Sequence, residues 1–233
     1  MQAKYPQNAF SAIVLFSAVL FSNLGYADTL MIDGFTHDQS ITDLGSSLGS
    51  TGNTVNSLTG TDLINASRTF SAHATGSGLF AWEKITSEDG VLRIANGSRS
   101  AGDASIGWTF DPIDFTRYGN AILLEVKSID LDVKVEMIAN GISSSGLKTY
   151  NTAGDFLINF SDFSNSGVFS KINSFSMNFS GPRAWDGQFR LLTTTNQLPS
   201  LNTSTPVPLP PAFVMMGSVL LGYLGVSRRR VRS

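Results

Sequence analysis

The feature that most limits what this chain can fold into is a period of two. Between Asp130 and Ala139, Leu131, Val133, Val135 and Met137 alternate with Asp132, Lys134, Glu136 and Ile138. Side chains two apart share one face of a strand, so one face of this run is buried and the other is wet, as in an antiparallel sheet. No stretch shows a convincing amphipathic helical period. Short runs bounded by Gly, Asn or Ser follow one another instead: Leu30 to Phe35, Ser67 to Ala74, Gly78 to Ile85, Gly90 to Asn96, Ser105 to Phe110, Ala121 to Lys127, Gly154 to Phe160, Ile172 to Phe179 and Gln188 to Thr194. Asp111-Pro112 and Asn140-Gly141 read as turns, and Ile113 to Asn120 as a connecting arm. Gln39 to Thr61, rich in Gly, Ser, Thr and Asn, reads as an ordered surface loop or edge hairpin. About nine to eleven short strands with turn chemistry between them predict an all-β antiparallel β-sandwich.

Both ends depart from this pattern. Met1 to Ala27 has a positive Lys4, an apolar run from Ala12 to Leu24, and small residues in Gly25-Tyr26-Ala27, the order of a secretory signal peptide cleaved after Ala27. Residues 28–195 are the sandwich domain, and 196–206 have linker composition. Residues 207–233 then fall into three parts. Val207-Pro208-Leu209-Pro210-Pro211 is stiff and extended. Ala212 to Val226 is apolar or small throughout, and Arg228, Arg229, Arg230 and Arg232 follow. Leu209 to Ser227 is 19 residues, close to the ~20 that a transmembrane helix needs. Arginines directly after such a segment hold that side in the cytoplasm.

This order resembles the PEP-CTERM sorting signal, in the variant whose proline motif reads VPLPA. The matching residues are Val207, Pro208, Leu209 and Pro210, the helix around Gly217 to Gly225, and the arginine cluster from Arg228 to Arg230. Leu209 replaces the usual Glu, and Pro211 stands where the variant has Ala. The resemblance implies export by the secretion machinery and a precursor held in the inner membrane by its C-terminal helix. It also implies processing by an exosortase near the proline motif, and residence at the cell surface or in an exopolysaccharide matrix. A plain membrane anchor on a proline-rich stalk is the alternative. The body resembles jelly-roll carbohydrate-binding modules, which speaks to architecture and leaves polysaccharide as a candidate partner.

Charge and composition narrow the chemistry. Lys4 and the four C-terminal arginines are five of the 16 basic residues, which leaves 11 between the ends against 18 acidic ones. Such an acidic body argues against nucleic acid as a partner. No cysteine is present, so disulfides, thiolate metal sites and a cysteine nucleophile are excluded. Gly45-Ser46-Ser47-Leu48-Gly49 matches G-x-S-x-G, but its flanks are loop-like and only His73 follows it, so the match reads as chance. Glu83 beside Trp82 could be a desolvated acid, although the alternation also fits an ordinary strand. Asp130 and Asp132 read as solvated on one strand face. No catalytic residues are assigned, and a non-catalytic binding or structural protein is expected, with a glycan-active hydrolase the distant alternative.

No cofactor is expected, with a structural calcium ion as the alternative. Asp33 and Asp186 could hold it if the first and last strands are neighbours; otherwise they are two unrelated turn aspartates. For glycan binding, Trp82, Trp108, Trp185 and Tyr150 are the aromatic candidates. Trp185, flanked by Arg183 and Asp186 in a Gly-Pro loop, is expected to be the exposed one, and Trp108 to be core.

Overall fold

The computed structural model describes residues 29–45 and 51–196. The signal peptide, the linker after Asn196 and the whole sorting tail lie outside the described residues, as do four of the five G-x-S-x-G positions. Among the described residues no helix is long and apolar enough to cross a membrane.

Two seven-stranded antiparallel sheets face each other. Sheet A runs in the order β12 (Gly154–Asn159), β8 (Ala121–Ile129), β14 (Asp186–Thr195), β6 (Val91–Asn96), β5 (Glu83–Glu88) and β2 (Gln39–Asp43), with β1 (Leu30–Asp33) also on β14. Sheet B runs β10 (Ser143–Ser144), β9 (Val133–Ala139), β13 (Ile172–Ser180), β7 (Asp103–Ile113), β4 (Ser67–His73) and β3 (Thr51–Val55), with β11 (Lys148–Tyr150) also on β9. From β6 to β9, and again from β12 to β14, each successive long strand crosses to the other sheet, so the chain wraps the core in the jelly-roll manner. The expected sandwich is present.

Alternation builds the core. Val133, Val135, Met137 and Ala139 of β9 face inward, as do Phe175, Met177 and Phe179 of β13 and Ala104, Ile106, Trp108 and Phe110 of β7. The Ser/Asn/Gly segment between β12 and β13 forms two short 3-10 turns that drop Phe160, Phe163 and Phe169 into one end of the core. Phe160 and Phe169 stack at 3.9 Å between centroids, and Phe163 meets Phe169 edge-on at 4.8 Å. Such pairs add about 0.5–1.5 kcal/mol each beyond their burial.

Several strand limits differ from those expected. Gln39 to Thr61 contains β2 and β3, which do not pair with each other but edge opposite sheets. Gln39 Nε2 donates to Asn53 O at 3.0 Å and closes that flank. Ala121 to Lys127 and Val133 to Ala139, the clearest strands in the sequence, also lie in opposite sheets. β5 begins only at Glu83, because Gly78 to Ala81 form a turn. β7 continues through Asp111-Pro112 to Ile113. Its pairing with β4 has ended at Thr109 and its register with β13 slips there, so the missing proline N–H leaves no ladder bond unmade. Asp130 and Asp132 are in the loop before β9, not on it.

The sandwich has two poles. Leu30 pairs with Thr194, and Thr195 with Ala121, so the chain enters and leaves side by side at one pole. β14 then spans about 30 Å to Asp186. Around Asp186 lies the opposite pole, made of the loops 74–82, 97–102, 130–132, 151–153 and 181–185, with residues 44–45 beside them.

Candidate functional site

The most heavily bonded polar group lies in the core. Asp33 and Arg68 are fully buried and paired at 2.8 Å. Arg68 Nε donates to Gln39 Oε1 and its Nη2 to His37 O, while its guanidinium lies 4.7 Å from the Phe70 ring centre. The Trp108 indole and the Phe35 amide donate to the Asp33 carboxylate. With every partner supplied internally, this pair is structural. It also corrects the expected pairing of Asp33 with Asp186. The first and last strands are neighbours, but Asp33 pairs with Leu192, six residues along β14 from Asp186, so the two aspartates do not converge. Among the described residues no group of three or more acidic, His or Cys side chains is arranged to hold a metal ion.

The far pole holds a second polar group. Asp43, Glu83 and Asn96 are direct cross-strand neighbours on β2, β5 and β6, and all three are buried. Glu83 Oε2 accepts from His73 N and Asp43 Oδ2 from Ala74 N, both at 2.7 Å, which ties sheet A to the end of β4 in sheet B. Asn96 Oδ1 accepts from Gly102 N, and its Nδ2 donates to Trp185 O. Glu83 Oε1 has no hydrogen-bond partner among the described residues. Burial, reinforced by Asp103 and Asp43 and opposed by the His73 amide, pushes the Glu83 carboxyl up to about 7. Gly102 is required here, because a Cβ would lie 2.6 Å from Asn96 Oδ1 and 2.9 Å from Glu83 Oε1.

Trp185 belongs to this group and was misplaced by its loop composition. It is 0% exposed, and its Nε1 donates to Gly102 O at 2.9 Å. A stacking role for Trp185 is therefore unavailable, while Arg183 beside it is exposed. Tyr150 is likewise buried, edge-on to Phe156 at 4.7 Å. Trp108 is core, as expected. At Trp82-Glu83 the usual order is inverted: the acid points in and the tryptophan is half-buried on the outer face. Asp186 is exposed, and its Oδ1 accepts from Asn96 N. Partial burial, with Asp130 nearby, raises its carboxyl above the ordinary range against that hydrogen bond.

The sandwich's outer faces differ. Sheet B presents Ser71, Ser105, Ser174, Ser176, Asn178 and Thr109, bonded across strands as in Ser105 Oγ to Asn178 Oδ1. Sheet A presents charges, among them Lys84, Arg93, Glu125 and Arg190. Shallow depressions of about 390 and 440 Å³ open at the far pole around Asp132, Asn151 and Pro182, next to Arg183.

No protein-family model matches this chain, and no curated protein does. Among solved structures it is similar to the module CtCBM11 in solution, with 14% identity over 75% of this chain and 99% of that one, at a TM-score of 0.40. It is also similar to a family 11 carbohydrate-binding module of a cellulosomal cellulase of Clostridium thermocellum, with 12% identity over 72% and 99% of the two chains and a TM-score of 0.35. PfGH50B matches at 9% identity over 50% of this chain and 22% of its own, also at 0.35. At these scores no ligand or residue role passes from them to this chain.

Proposed function

We propose that this is an exported cell-envelope protein whose tail is sorted by an exosortase, and whose sandwich is a non-catalytic module presented to polysaccharide. The observation that carries the reading is the order of the tail: a proline motif at Val207 to Pro210, an uncharged apolar segment, then Arg228 to Arg230 and Arg232. The fold is compatible with that use. A body whose two ends leave at one pole presents its opposite loops away from an anchoring membrane. Catalysis is disfavoured by position, since the acid with the strongest upward shift, Glu83, is sealed inside.

The test is expression of the full chain in a host with its exosortase and in the same host lacking it, with both termini read by mass spectrometry. The mature protein should begin at Asp28 in both hosts, and its C-terminus should be trimmed near the proline motif only where the enzyme is present. An untrimmed tail in both leaves only an anchored surface protein. An intact N-terminus in the cytosol overturns the proposal entirely.

A further inference from the structure

We propose that the outer face of sheet A, beside the far pole, is a trough for a neutral oligosaccharide segment, with Phe80 and Trp82 as its stacking wall and Arg93, Asp130, Asp186 and Gln188 as its hydrogen-bonding groups. The site rests on the polysaccharide reading above and gives it an address.

The three tryptophans differ in one telling respect. Trp108 and Trp185 are fully buried, and each indole N–H has an internal acceptor. Trp82 is half-buried on the outer face, and its Nε1–H meets no protein acceptor among the described residues. Its position is fixed from below. Gly97 N donates to Trp82 O and Arg99 N to Phe80 O, so the β5–β6 ladder continues beneath both rings. The indole lies against Gly97, where a Cβ would sit 2.8 Å from Trp82 Cδ1 and Nε1. Phe80 is 56% exposed, with the Arg99 guanidinium 6.0 Å from its ring centre. A packed aromatic does not need this exposure, whereas the apolar face of a sugar ring does.

The space beside the wall is shaped by small residues. Ala95 lies between Lys84 and Asp186 in one cross-strand row, with Gly97 opposite Trp82. A depression of about 270 Å³ continues from Ala95 over Gly187 to Asp130. Asp186 Oδ1 and Asp130 Oδ1 hold backbone amides, which leaves a second oxygen on each carboxylate, and the side chains of Arg93 and Gln188 have no protein partner among the described residues. Two carboxylates, an amide and a guanidinium offer paired donors and acceptors to ring hydroxyls. Asp130 and Asp186 repel a polyanion, and Arg93 and Lys84 offset their charge, so the fitting ligand is uncharged.

The test uses the full-length protein in detergent and a panel of neutral glucan, mannan and galactan oligosaccharides, with affinities read by isothermal titration calorimetry and the wild-type tryptophan emission as a second signal. A bound member should shift the emission, and Trp82→Ala should weaken binding roughly tenfold or more while leaving the melting temperature in place. Trp82→Phe should recover most of the affinity, and Gln188→Ala should weaken it with the tryptophans intact. If a panel member binds wild type and Trp82→Ala equally, the trough is wrong and the polysaccharide reading stands. If neither the panel nor the exopolysaccharide purified from the producing cells binds, both fall.

Discussion

At the scale of single residues, burial decides roles that side-chain chemistry leaves open. Glu83 shows this most clearly. Its carboxyl is raised from 4.5 to about 7 because burial disfavours the charged form. The folded state therefore holds the proton more tightly than the unfolded chain does. Glu83's favourable share of stability is complete below about pH 4.5, declines as pH rises through the window to about 7, and stays lost above it. At about 1.4 kcal/mol per pH unit, the loss is on the order of 3 kcal/mol. Glu83→Gln should flatten this decline and leave the variant more stable than wild type at alkaline pH. Urea unfolding at a series of pH values checks it, and parallel wild-type and variant curves would remove Glu83 as the cause. The sequence allowed Glu83 to be a desolvated acid but could not separate that from an exposed strand residue. The deciding facts are its neighbours Asp43 and Asn96, which lie 40 residues before it and 13 after it. Trp185 went wrong for the same reason: a Gly-Pro-Arg loop looks solvated until the Gly102 carbonyl is found waiting for the indole.

At the scale of elements, the strands that were legible are those whose inner face is apolar along its length, such as β9 and β13. The missed ones are edges. β3 reads Thr-Gly-Asn-Thr-Val and is almost wholly exposed, so no hydrophobic period marks it; its pairing with β4 makes it a strand. β10 and β11 are too short to carry a period at all. The turn at Asn140-Gly141 was readable because its chemistry is local. Both residues have positive φ, 51° and 68°, and Asn140 also accepts from Asn173 N while its Nδ2 donates to Lys171 O. Asn140→Ala removes those bonds and places a Cβ-bearing residue without a compensating side chain in the left-handed region, so it should lose about 1–2 kcal/mol. Asn140→Gly should lose less, since it keeps the backbone geometry. Equal losses for the two, measured by denaturant unfolding, would mean that the side-chain bonds alone matter.

At the scale of the whole molecule, the surface that the body offers was not legible in the sequence. Composition alone separates an oily, arginine-tipped tail from an acidic domain. Placing Asp186, Arg93 and Trp82 on one outer face required the register across β5, β6 and β14. The run of β14 from the pole where Thr194 pairs with Leu30 to the opposite one has a mechanical consequence. Tension applied between the tail and a load gripped near Asp130, where β8 ends at that opposite pole, pulls β14 and its neighbour β8 in opposite directions along their axes. The hydrogen bonds between β14 and β8 then resist sliding together, where a peeling force would break them one by one. Single-molecule stretching of the full chain should give a higher rupture force between residue 130 and the C-terminus than between the two termini, which open β1 from β14 like a zipper. For a protein tethered in a flowing matrix, that is the direction in which drag would pull.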